Sequence, residues 1–187
     1  MKIYSLRHGQ TNMNIKHIYN GLVDEDINET GIKQCEEARD ILRNKDIDLI
    51  ICSPLLRTRH TCEIININNI PVIYDNRLLE RTLGKFDGTK PEEHGITDEV
   101  FYDYFHKYDD DQIEDMPTVF DRAFNLLDEI KEKYKDKNVL LITHGAIMRA
   151  IHFYFNGIPE DKNMLVFSSK NCQICEYDFD DMKRKGV

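Results

Sequence analysis

Long apolar runs are missing from this 187-residue sequence. No stretch approaches the ~20 consecutive apolar residues that a membrane helix requires, and the sequence given shows no charged-then-apolar leader. We therefore expect no membrane segment. Apolar residues still make up 41% and charged residues 32% of the chain, which is typical of a soluble globular protein. The length predicts one domain, residues 1–187, with a core of its own.

An excess of positive charge is also missing. The chain has 25 Lys and Arg residues against 34 Asp and Glu residues, which gives a net charge of −9. Proteins that bind nucleic acid need clustered Lys and Arg for the phosphate backbone, so this balance argues against that class of partner. If the ligand is anionic, it requires a local cationic pocket within an acidic protein.

The sequence has no set of residues with the spacing of a metal site. It contains no H-E-x-x-H motif, and the pair Cys172 and Cys175 has no second pair or histidine at zinc spacing. We interpret Cys172 and Cys175 as packed residues of a strand, and Cys35 and Cys62 as parts of apolar helix faces. Five cysteines, an odd number, predict reduced thiols and a cytoplasmic protein. No metal and no cofactor are implied.

Short apolar runs alternate with patterns typical of amphipathic helices. The runs that predict buried strands are 3–6, 49–52, 71–74 and 139–142, with further strands expected at 165–167 and 172–177. The expected helices begin near Thr30, at Ser53 and Pro54 with the serine as cap, at Pro117 and at Ala146. This order predicts an α/β three-layer sandwich with a mainly parallel central sheet. The aromatic stripe from Val100 to Tyr108 is consistent with one more helix.

Polar side chains follow each of the four main predicted strands. Arg7 and His8 end the first, Arg57 follows the second, Glu80 follows the third and His144 ends the fourth. In a parallel sheet the carboxyl ends of the strands meet at one edge, where ligands bind. We therefore expect two arginines, two histidines and a carboxylate to face a common cavity.

These residue types are suited to phosphoryl transfer. Arginines with nearby imidazoles form a cage for a tetrahedral dianion. A histidine that is unprotonated at one ring nitrogen can attack phosphorus and form a phosphohistidine, and neighbouring guanidinium groups favour the neutral ring. A carboxylic acid is then needed to protonate the departing oxygen and later to take a proton from water.

Four motifs in this order strongly resemble the histidine phosphatase superfamily, also called phosphoglycerate mutase-like proteins. They cover most of the chain: Leu6-Arg7-His8-Gly9-Gln10-Thr11 with Asn14; Ser53-Pro54-Leu55-Leu56-Arg57 with Thr61; Leu79-Glu80 followed by Gly84-Lys85-Phe86-Asp87-Gly88; and Thr143-His144-Gly145 with Arg149. The third motif departs from the family pattern, which usually has tryptophan and glutamate where Phe86 and Asp87 stand here.

The resemblance implies a phosphoglycerate mutase-like fold with a helical lid insertion at about residues 90–117, and it implies a role for each site residue. His8 would carry the phosphoryl group, and Glu80 would donate the proton, although Asp75, Asp87 and Glu92 lie nearby as alternative acids. The residues that would hold the phosphoryl oxygens are Arg7, Arg57 and His144. The residues that would line the pocket are Asn14, Asn20 and Gly21. Arg59 and Arg81 are expected to be solvated surface cations.

Three functions fit this resemblance. The short chain, with Leu83 and Ala146 where the mutases of the family carry tyrosine and asparagine, favours a phosphatase that acts on a small phosphorylated metabolite. A phosphoglycerate mutase-type phosphoryl transfer and a non-catalytic module that binds phosphorylated ligands are the alternatives. Few cations in the insertion argue against a polyphosphorylated substrate. Sugar phosphates, α-ribazole phosphate and phosphoglycerate derivatives remain possible, and the sequence predicts no oligomeric state.

Overall fold

Five strands and six α-helices form the part of the chain that the computed structural model describes, residues 1–110 and 112–182. The strands are β1 (Lys2–Arg7), β2 (Leu49–Cys52), β3 (Val72–Tyr74), β4 (Val139–Thr143) and β5 (Ile174–Asp178). The helices are α1 (Asn12–Ile15), α2 (Glu29–Leu42), α3 (Leu56–Ile65), α4 (Asp98–Phe101), α5 (Met116–Lys133) and α6 (Gly145–Asn156). Single 3₁₀ turns lie at Asn76–Leu78, Gly84–Phe86, Pro91–Glu93, Met164–Val166 and Phe179–Asp181.

The strands form one sheet in the order β3-β2-β4-β1-β5. Four of them are parallel, and β5 runs antiparallel to β1 at one edge. The register pairs Arg7 of β1 with Thr143 of β4, and the amide of His8 donates to the carbonyl of Thr143 at 3.0 Å. The residues that follow these two strands, His8 and His144, are therefore neighbours at the same edge of the sheet.

Helices cover both faces of the sheet, which confirms the predicted three-layer sandwich. Alternate residues of β4 point to opposite faces, as the two-residue period of a strand requires. Val139 and Leu141 pack with α5 and α6 on one face, whereas Leu140 and Ile142 pack with α2 and α3 on the other. The five residues of β4 are all buried, so the strand at the centre of the fold has the continuous apolar pattern that predicted it.

The longest helix, α5, begins close to its predicted position. Asp115 caps it by accepting a hydrogen bond from the amide of Thr118, and Pro117 occupies the first turn, where a missing N–H leaves no bond unmade. Its buried residues recur at three- and four-residue spacing: Met116, Val119, Phe120, Ala123, Leu126, Leu127 and Ile130. The predicted insertion, at about residues 90–117, therefore overlaps the first two residues of α5, Met116 and Pro117.

Two local predictions were wrong. Ser53 does not cap α3, which begins at Leu56; the hydroxyl of Ser53 lies 2.8 Å from Nε2 of His144 instead. Residues 165–167 do not form a strand, because the chain makes a 3₁₀ turn at Met164–Val166. The carbonyls of Met164 and Phe167 accept hydrogen bonds from the Arg149 side chain rather than from a neighbouring strand.

The aromatic stripe in the insertion does not form one helix. Helix α4 ends at Phe101, and the aromatic side chains that follow pack in different directions. Phe101 is buried, Tyr104 contacts Phe120 of α5, and Phe105 is 68% exposed. The helical spacing of aromatic residues was misleading here because Phe101 stacks on Tyr19 and Tyr104 packs on Phe120, whereas Phe105 faces solvent. Among the described residues, none of the helices combines the length and the hydropathy needed to cross a bilayer.

Candidate active site

A cavity of about 170 Å³ lies at the carboxyl ends of the parallel strands. Six of the eight predicted site residues line it: Arg7, His8, Asn14, Asn20, Gly21 and Glu80. Further lining residues include Tyr19, Arg81, Leu83, Phe101, Tyr102, Ala146, Arg149, Ser168 and Ser169. The other two predicted residues, Arg57 and His144, are fully buried beside this wall. The sheet edge thus brings the predicted set together, with two of its members in a layer behind the cavity.

His8 is buried, and among the described residues only one of its two ring nitrogens, Nδ1, has a hydrogen-bond partner. Nδ1 lies 2.7 Å from the carbonyl oxygen of Gly9. A carbonyl oxygen can only accept, so Nδ1 carries the hydrogen and Nε2 keeps its lone pair. Burial, followed by the charges of Arg57 and Arg7, lowers the pKa of His8 well below its ordinary value. Near neutral pH the ring is therefore uncharged, with an unprotonated Nε2.

The loop that carries His8 is held by close packing against α2. A Cβ atom added at Gly9 would lie 2.8 Å from the carbonyl oxygen of Gly31, so only glycine fits there without a shift. The amide of Gly9 donates to Oγ1 of Thr61 at 3.0 Å, and the amide side chain of Asn171 donates to the carbonyl of His8 at 3.1 Å. Both contacts fix the position of the histidine.

His144 lies beside His8, with ring centroids 5.2 Å apart. Nε of Arg57 donates to its Nδ1 at 3.2 Å, so Nδ1 is unprotonated and Nε2 donates its hydrogen to Oγ of Ser53 at 2.8 Å. Burial and then the charge of Arg57 lower the pKa of His144 well below its ordinary value. Both ring nitrogens therefore have protein partners, and His144 orients Arg57.

Arg57 is a buried cation whose nitrogens all donate to protein atoms. Besides the bond to His144, Nη1 donates to the carbonyl of Val23 at 2.7 Å and Nη2 to the carbonyl of Gly21 at 2.9 Å. Desolvation is the main cause that lowers its pKa, yet a guanidinium stays charged at any physiological pH. Arg57 thus holds the loop that contains Gly21 against the cavity and places positive charge behind His8.

Glu80 faces the first turn of α6. Its Oε2 accepts from the amide of Gly145 at 3.0 Å, and its Oε1 accepts from the amides of Ala146 at 3.2 Å and Arg81 at 2.9 Å. The orphan amides of a helix N-terminus are natural partners for a carboxylate. Of the alternative acids, Asp75 is paired with Arg77 at 2.7 Å. Glu80 is the carboxylate that lines the same cavity as His8.

Arg7 has unused donors at the cavity wall. Its Nη1 donates to the carbonyl of Ser169 at 2.6 Å. Within residues 1–110 and 112–182, its buried Nε and the buried Oγ of Ser169 have no hydrogen-bond partner. Buried polar groups are nearly always paired, so two orphaned groups on residues that are joined by a hydrogen bond are suited to an anionic ligand. A phosphoryl group offers the acceptor oxygens that both need.

Asn14 and Asn20 form one amide network at the rim of the cavity. Nδ2 of Asn14 donates to Oδ1 of Asn20 at 3.2 Å, and Nδ2 of Asn20 donates to Oγ1 of Thr11 at 3.1 Å. Nδ2 of Asn171 donates to Oδ1 of Asn14 at 3.0 Å. The network ties α1 to the turn at 171, so these asparagines position the pocket walls as well as line them.

The sequence model of the histidine phosphatase superfamily (branch 1) matches residues 3–187. The chain belongs to that superfamily. Phosphoserine phosphatase 1 of Hydrogenobacter thermophilus is 28% identical over 184 residues, which are 95% of this chain and 84% of that protein. A 2,3-bisphosphoglycerate-dependent phosphoglycerate mutase of Cytophaga hutchinsonii is 30% identical over 167 residues, 83% of this chain and 78% of that protein.

A solved structure shows the same fold. The mycobacterial glucosyl-3-phosphoglycerate phosphatase in complex with VO3 superimposes with a TM-score of 0.82 at 23% identity, covering 94% of this chain and 91% of that one. The family match and the phosphatase among the relatives support phosphatase activity, and so a hydrolase, for this histidine phosphatase.

One cation of this histidine phosphatase is not where the sequence analysis expected it. Arg81 is 2% exposed, whereas Arg59 is exposed as expected. Arg81 donates to the carbonyls of Phe101 and Glu114 at 2.6 Å, and its guanidinium lies 4.7 Å above the Phe101 ring. Carbonyls and an aromatic face replace water around it. The sequence feature that could have indicated a buried Arg81 in the site is its position directly after Glu80.

Arg149 is a second buried arginine of the cavity that was not assigned a role. Its Nε donates to the carbonyls of Met164 and Phe167 at 2.7 and 3.0 Å, and its guanidinium lies 3.9 Å above the Tyr102 ring. The described part of the chain provides no acceptor for its Nη1 and Nη2. Its spacing from Gly145 could have predicted a place in the site, because residues 145 and 149 are one turn apart on α6 and both line the cavity.

The two buried histidines predict a loss of stability in mild acid. The unfolded chain binds protons at an ordinary histidine pKa of about 6.5, whereas the folded pKa values of His8 and His144 are lowered. Below about pH 6.5 the unfolded state binds more protons, so the free energy of unfolding falls by up to about 1.4 kcal/mol per pH unit for each histidine. Urea titrations at pH 7.5 and 5.5 measure this slope.

The histidine contribution can be separated from that of the carboxylates with two variants. His144→Gln is expected to reduce the slope of the unfolding free energy against pH by the contribution of one histidine. His17→Asn removes an exposed histidine at positive φ, a conformation that asparagine tolerates, and is expected to leave the slope unchanged. Equal slopes in all three proteins would contradict the assignment.

In the described residues, no group of three or more His, Cys, Asp or Glu side chains could hold a metal ion.

Proposed function

We propose that this histidine phosphatase hydrolyses a small phosphate monoester through a phosphohistidine intermediate on His8, without a metal ion. The observation that carries the proposal is the state of the His8 ring. Its Nδ1 is fixed by the carbonyl of Gly9, its pKa is lowered, and its Nε2 has a free lone pair at a cavity with cationic walls. A neutral imidazole in this setting is a competent nucleophile.

In the first step Nε2 of His8 attacks phosphorus, and the bond from phosphorus to the ester oxygen breaks. Glu80 gives its proton to that oxygen, and an alcohol leaves. In the second step water attacks the phosphohistidine, Glu80 takes a proton from the water, and inorganic phosphate is released while His8 becomes neutral again. Positioning and charge stabilisation are the main catalytic needs of phosphoryl transfer.

Two layers of side chains are proposed to stabilise the transferred group. Arg7, with Ser169, binds the phosphoryl oxygens directly, because its buried Nε lacks a partner among the residues described. For Arg57 and His144 we propose support from behind the cavity, because their hydrogen-bonding atoms already have protein partners. Burial and then the charge of Arg57 lower the pKa of His8, which favours its neutral form.

As the substrate class we propose a phosphate monoester that also carries a carboxylate. Arg81 and Arg149 line the same cavity as Arg7. Each has guanidinium N–H donors beyond those that bind backbone carbonyls. A second anionic group on the substrate would use them. The relatives are named for phosphoserine and phosphoglycerate, both of which have a carboxylate.

Replacing Arg149 by lysine is expected to shift substrate preference. Lysine keeps the charge but loses the planar fork, so kcat/KM for phosphoserine should fall about 10- to 100-fold, in line with one lost charge-assisted hydrogen bond. Hydrolysis of p-nitrophenyl phosphate, which has no carboxylate, reports any general damage to the fold. The ratio of the two kcat/KM values is the measurement. An unchanged ratio would refute the role, and Arg59→Lys on the surface is the control.

A mutase is the second candidate, since a phosphoglycerate mutase is among the relatives. Leu83 and Ala146, the positions that differ from the mutase pattern, both lie on the cavity wall, which favours the phosphatase. The test is a panel of phosphate esters assayed with a chelator present. Release of inorganic phosphate supports the proposal. A requirement for added metal, or stimulation by a bisphosphate primer with little phosphate release, would overturn it.

A further inference from the structure

Two thiols meet directly behind the loop that carries His8. Sγ of Cys35, on α2, lies 3.5 Å from Sγ of Cys172, in the turn that precedes β5. The sequence interpretation of Cys175 as a strand residue is confirmed, whereas that of Cys172 was wrong, because Cys172 lies before β5 with φ of +53°. The partner of Cys172 is a cysteine 137 positions away.

The pair is joined to the site on both sides. The amide of Cys172 donates to the carbonyls of Arg7 and His8 at 3.1 and 3.3 Å. On the other side, a Cβ atom added at Gly9 would lie 2.9 Å from Sγ of Cys35, so this sulfur packs directly against the loop. A movement of either sulfur therefore reaches the backbone of residues 7–9.

We propose that Cys35 and Cys172 form a redox modification site, at which a hydroperoxide converts the two thiols into a disulfide and thereby lowers the activity of His8. Formation of the disulfide is independent of the proposed function, and only its effect on turnover rests on that function. The five cysteines are free in the structure, which is the reduced state of this site.

Hydrogen peroxide is the two-electron oxidant that balances the reaction. The pair loses one proton to give a thiolate, and the hydrogen bond from the Cys172 thiol lowers the pKa of Cys35. The hydrogen bond with Cys35 and then burial raise the pKa of Cys172, so the thiolate lies mainly on Cys35. Transfer of the shared proton to Cys35 moves the charge to half-buried Cys172, the more accessible of the two sulfurs. Its sulfur takes one oxygen from hydrogen peroxide, giving a sulfenic acid and one water. Sγ of Cys35 then displaces the second water, so two thiols and one peroxide yield a disulfide and two waters.

The effect on the site follows from the length of the new bond. A disulfide is about 2.05 Å long, so the sulfurs must approach by about 1.5 Å. The turn at 171 and 172, which holds the carbonyl of His8, is drawn toward α2. Misplacement of a reacting group by about 1 Å costs on the order of 100-fold in rate. We expect a 10- to 100-fold loss of turnover, reversed when a thiol reductant restores both cysteines.

The experiment treats the purified protein with hydrogen peroxide and follows mass and activity together. The expected result is a loss of about 2 Da, a cross-linked peptide pair that contains Cys35 and Cys172, and recovery with dithiothreitol. Cys175→Ser, which changes the other half of the C-x-x-C, should behave like the wild type. Cys35→Ser and Cys172→Ser should form no such cross-link and should keep their activity on p-nitrophenyl phosphate under the oxidant.

Three results would overturn the proposal: no cross-link, a cross-link without loss of turnover, or an equal loss of turnover in Cys172→Ser. Since Cys172 is half-buried in a turn, its variant keeps the test valid even if Cys35→Ser does not fold. If the reduced protein hydrolyses no phosphate ester at all, the proposed function fails, while the mass of the cross-linked peptides still decides whether the disulfide forms.

Discussion

Replacing His8 by alanine is expected to lower kcat by on the order of 10⁴-fold or more, because the variant has no nucleophile for phosphorus and only binding and charge stabilisation remain. The measurement has two parts. Steady-state release of phosphate gives kcat, and an alkaline quench during turnover detects a phosphoprotein that is lost again in acid. The wild type should show this phosphoprotein, and His8→Ala should show none.

The control for this substitution is His17→Asn, which removes an exposed histidine outside the cavity. It should retain both turnover and the acid-labile phosphoprotein. His8 is buried, so urea unfolding of His8→Ala must show that the variant is folded before its activity is interpreted. Turnover near the wild-type value in a folded His8→Ala protein would end the assignment of His8 as the nucleophile.

Replacing Glu80 by glutamine is expected to reduce kcat by about 10²- to 10⁴-fold for an alkyl phosphate such as phosphoserine. The amide keeps the shape of the side chain but cannot protonate the departing oxygen. For p-nitrophenyl phosphate the loss should be much smaller in the first chemical step, because nitrophenolate leaves without a proton. Rapid-mixing measurements of nitrophenolate release separate this step from hydrolysis of the phosphohistidine.

Glu80 also binds the amides of Gly145 and Ala146, so a purely structural role must be distinguished from proton donation. A structural role predicts equal losses for both esters, since a displaced α6 affects the site whatever the leaving group. Unequal losses that follow the basicity of the leaving group support the acid. Glu92→Gln, at an exposed carboxylate of the insertion, is the matched control and should change neither rate.

The layers of the fold were predictable because their signals are local and strong. Residues 139–142 are apolar without interruption, and β4 is the buried centre of the sheet. The apolar period of α5, with Pro117 in its first turn, marks a helix that packs on one face. The edge position of β3 agrees with the proline that precedes it. Each of these patterns is set by neighbours within a few positions.

The details that escaped prediction depend on partners far away in the chain. Arg81 is buried only because carbonyls 20 and 33 positions later accept its hydrogen bonds. The hydroxyl of Ser53 bonds to His144 rather than capping a helix, across 91 positions. The gathering of site residues at one edge was predictable from the expected parallel arrangement of the strands, whereas the division into a cavity wall and a layer behind it was not.

The position of β1 between β4 and β5 has a consequence for synthesis on the ribosome. The strand that leads to His8 is the first to emerge, yet both strands that flank it are translated last. Until then its backbone donors and acceptors have no sheet to join, and such open edges promote aggregation. The sheet edge that carries His8 therefore cannot be completed until β4 and β5 have been synthesised.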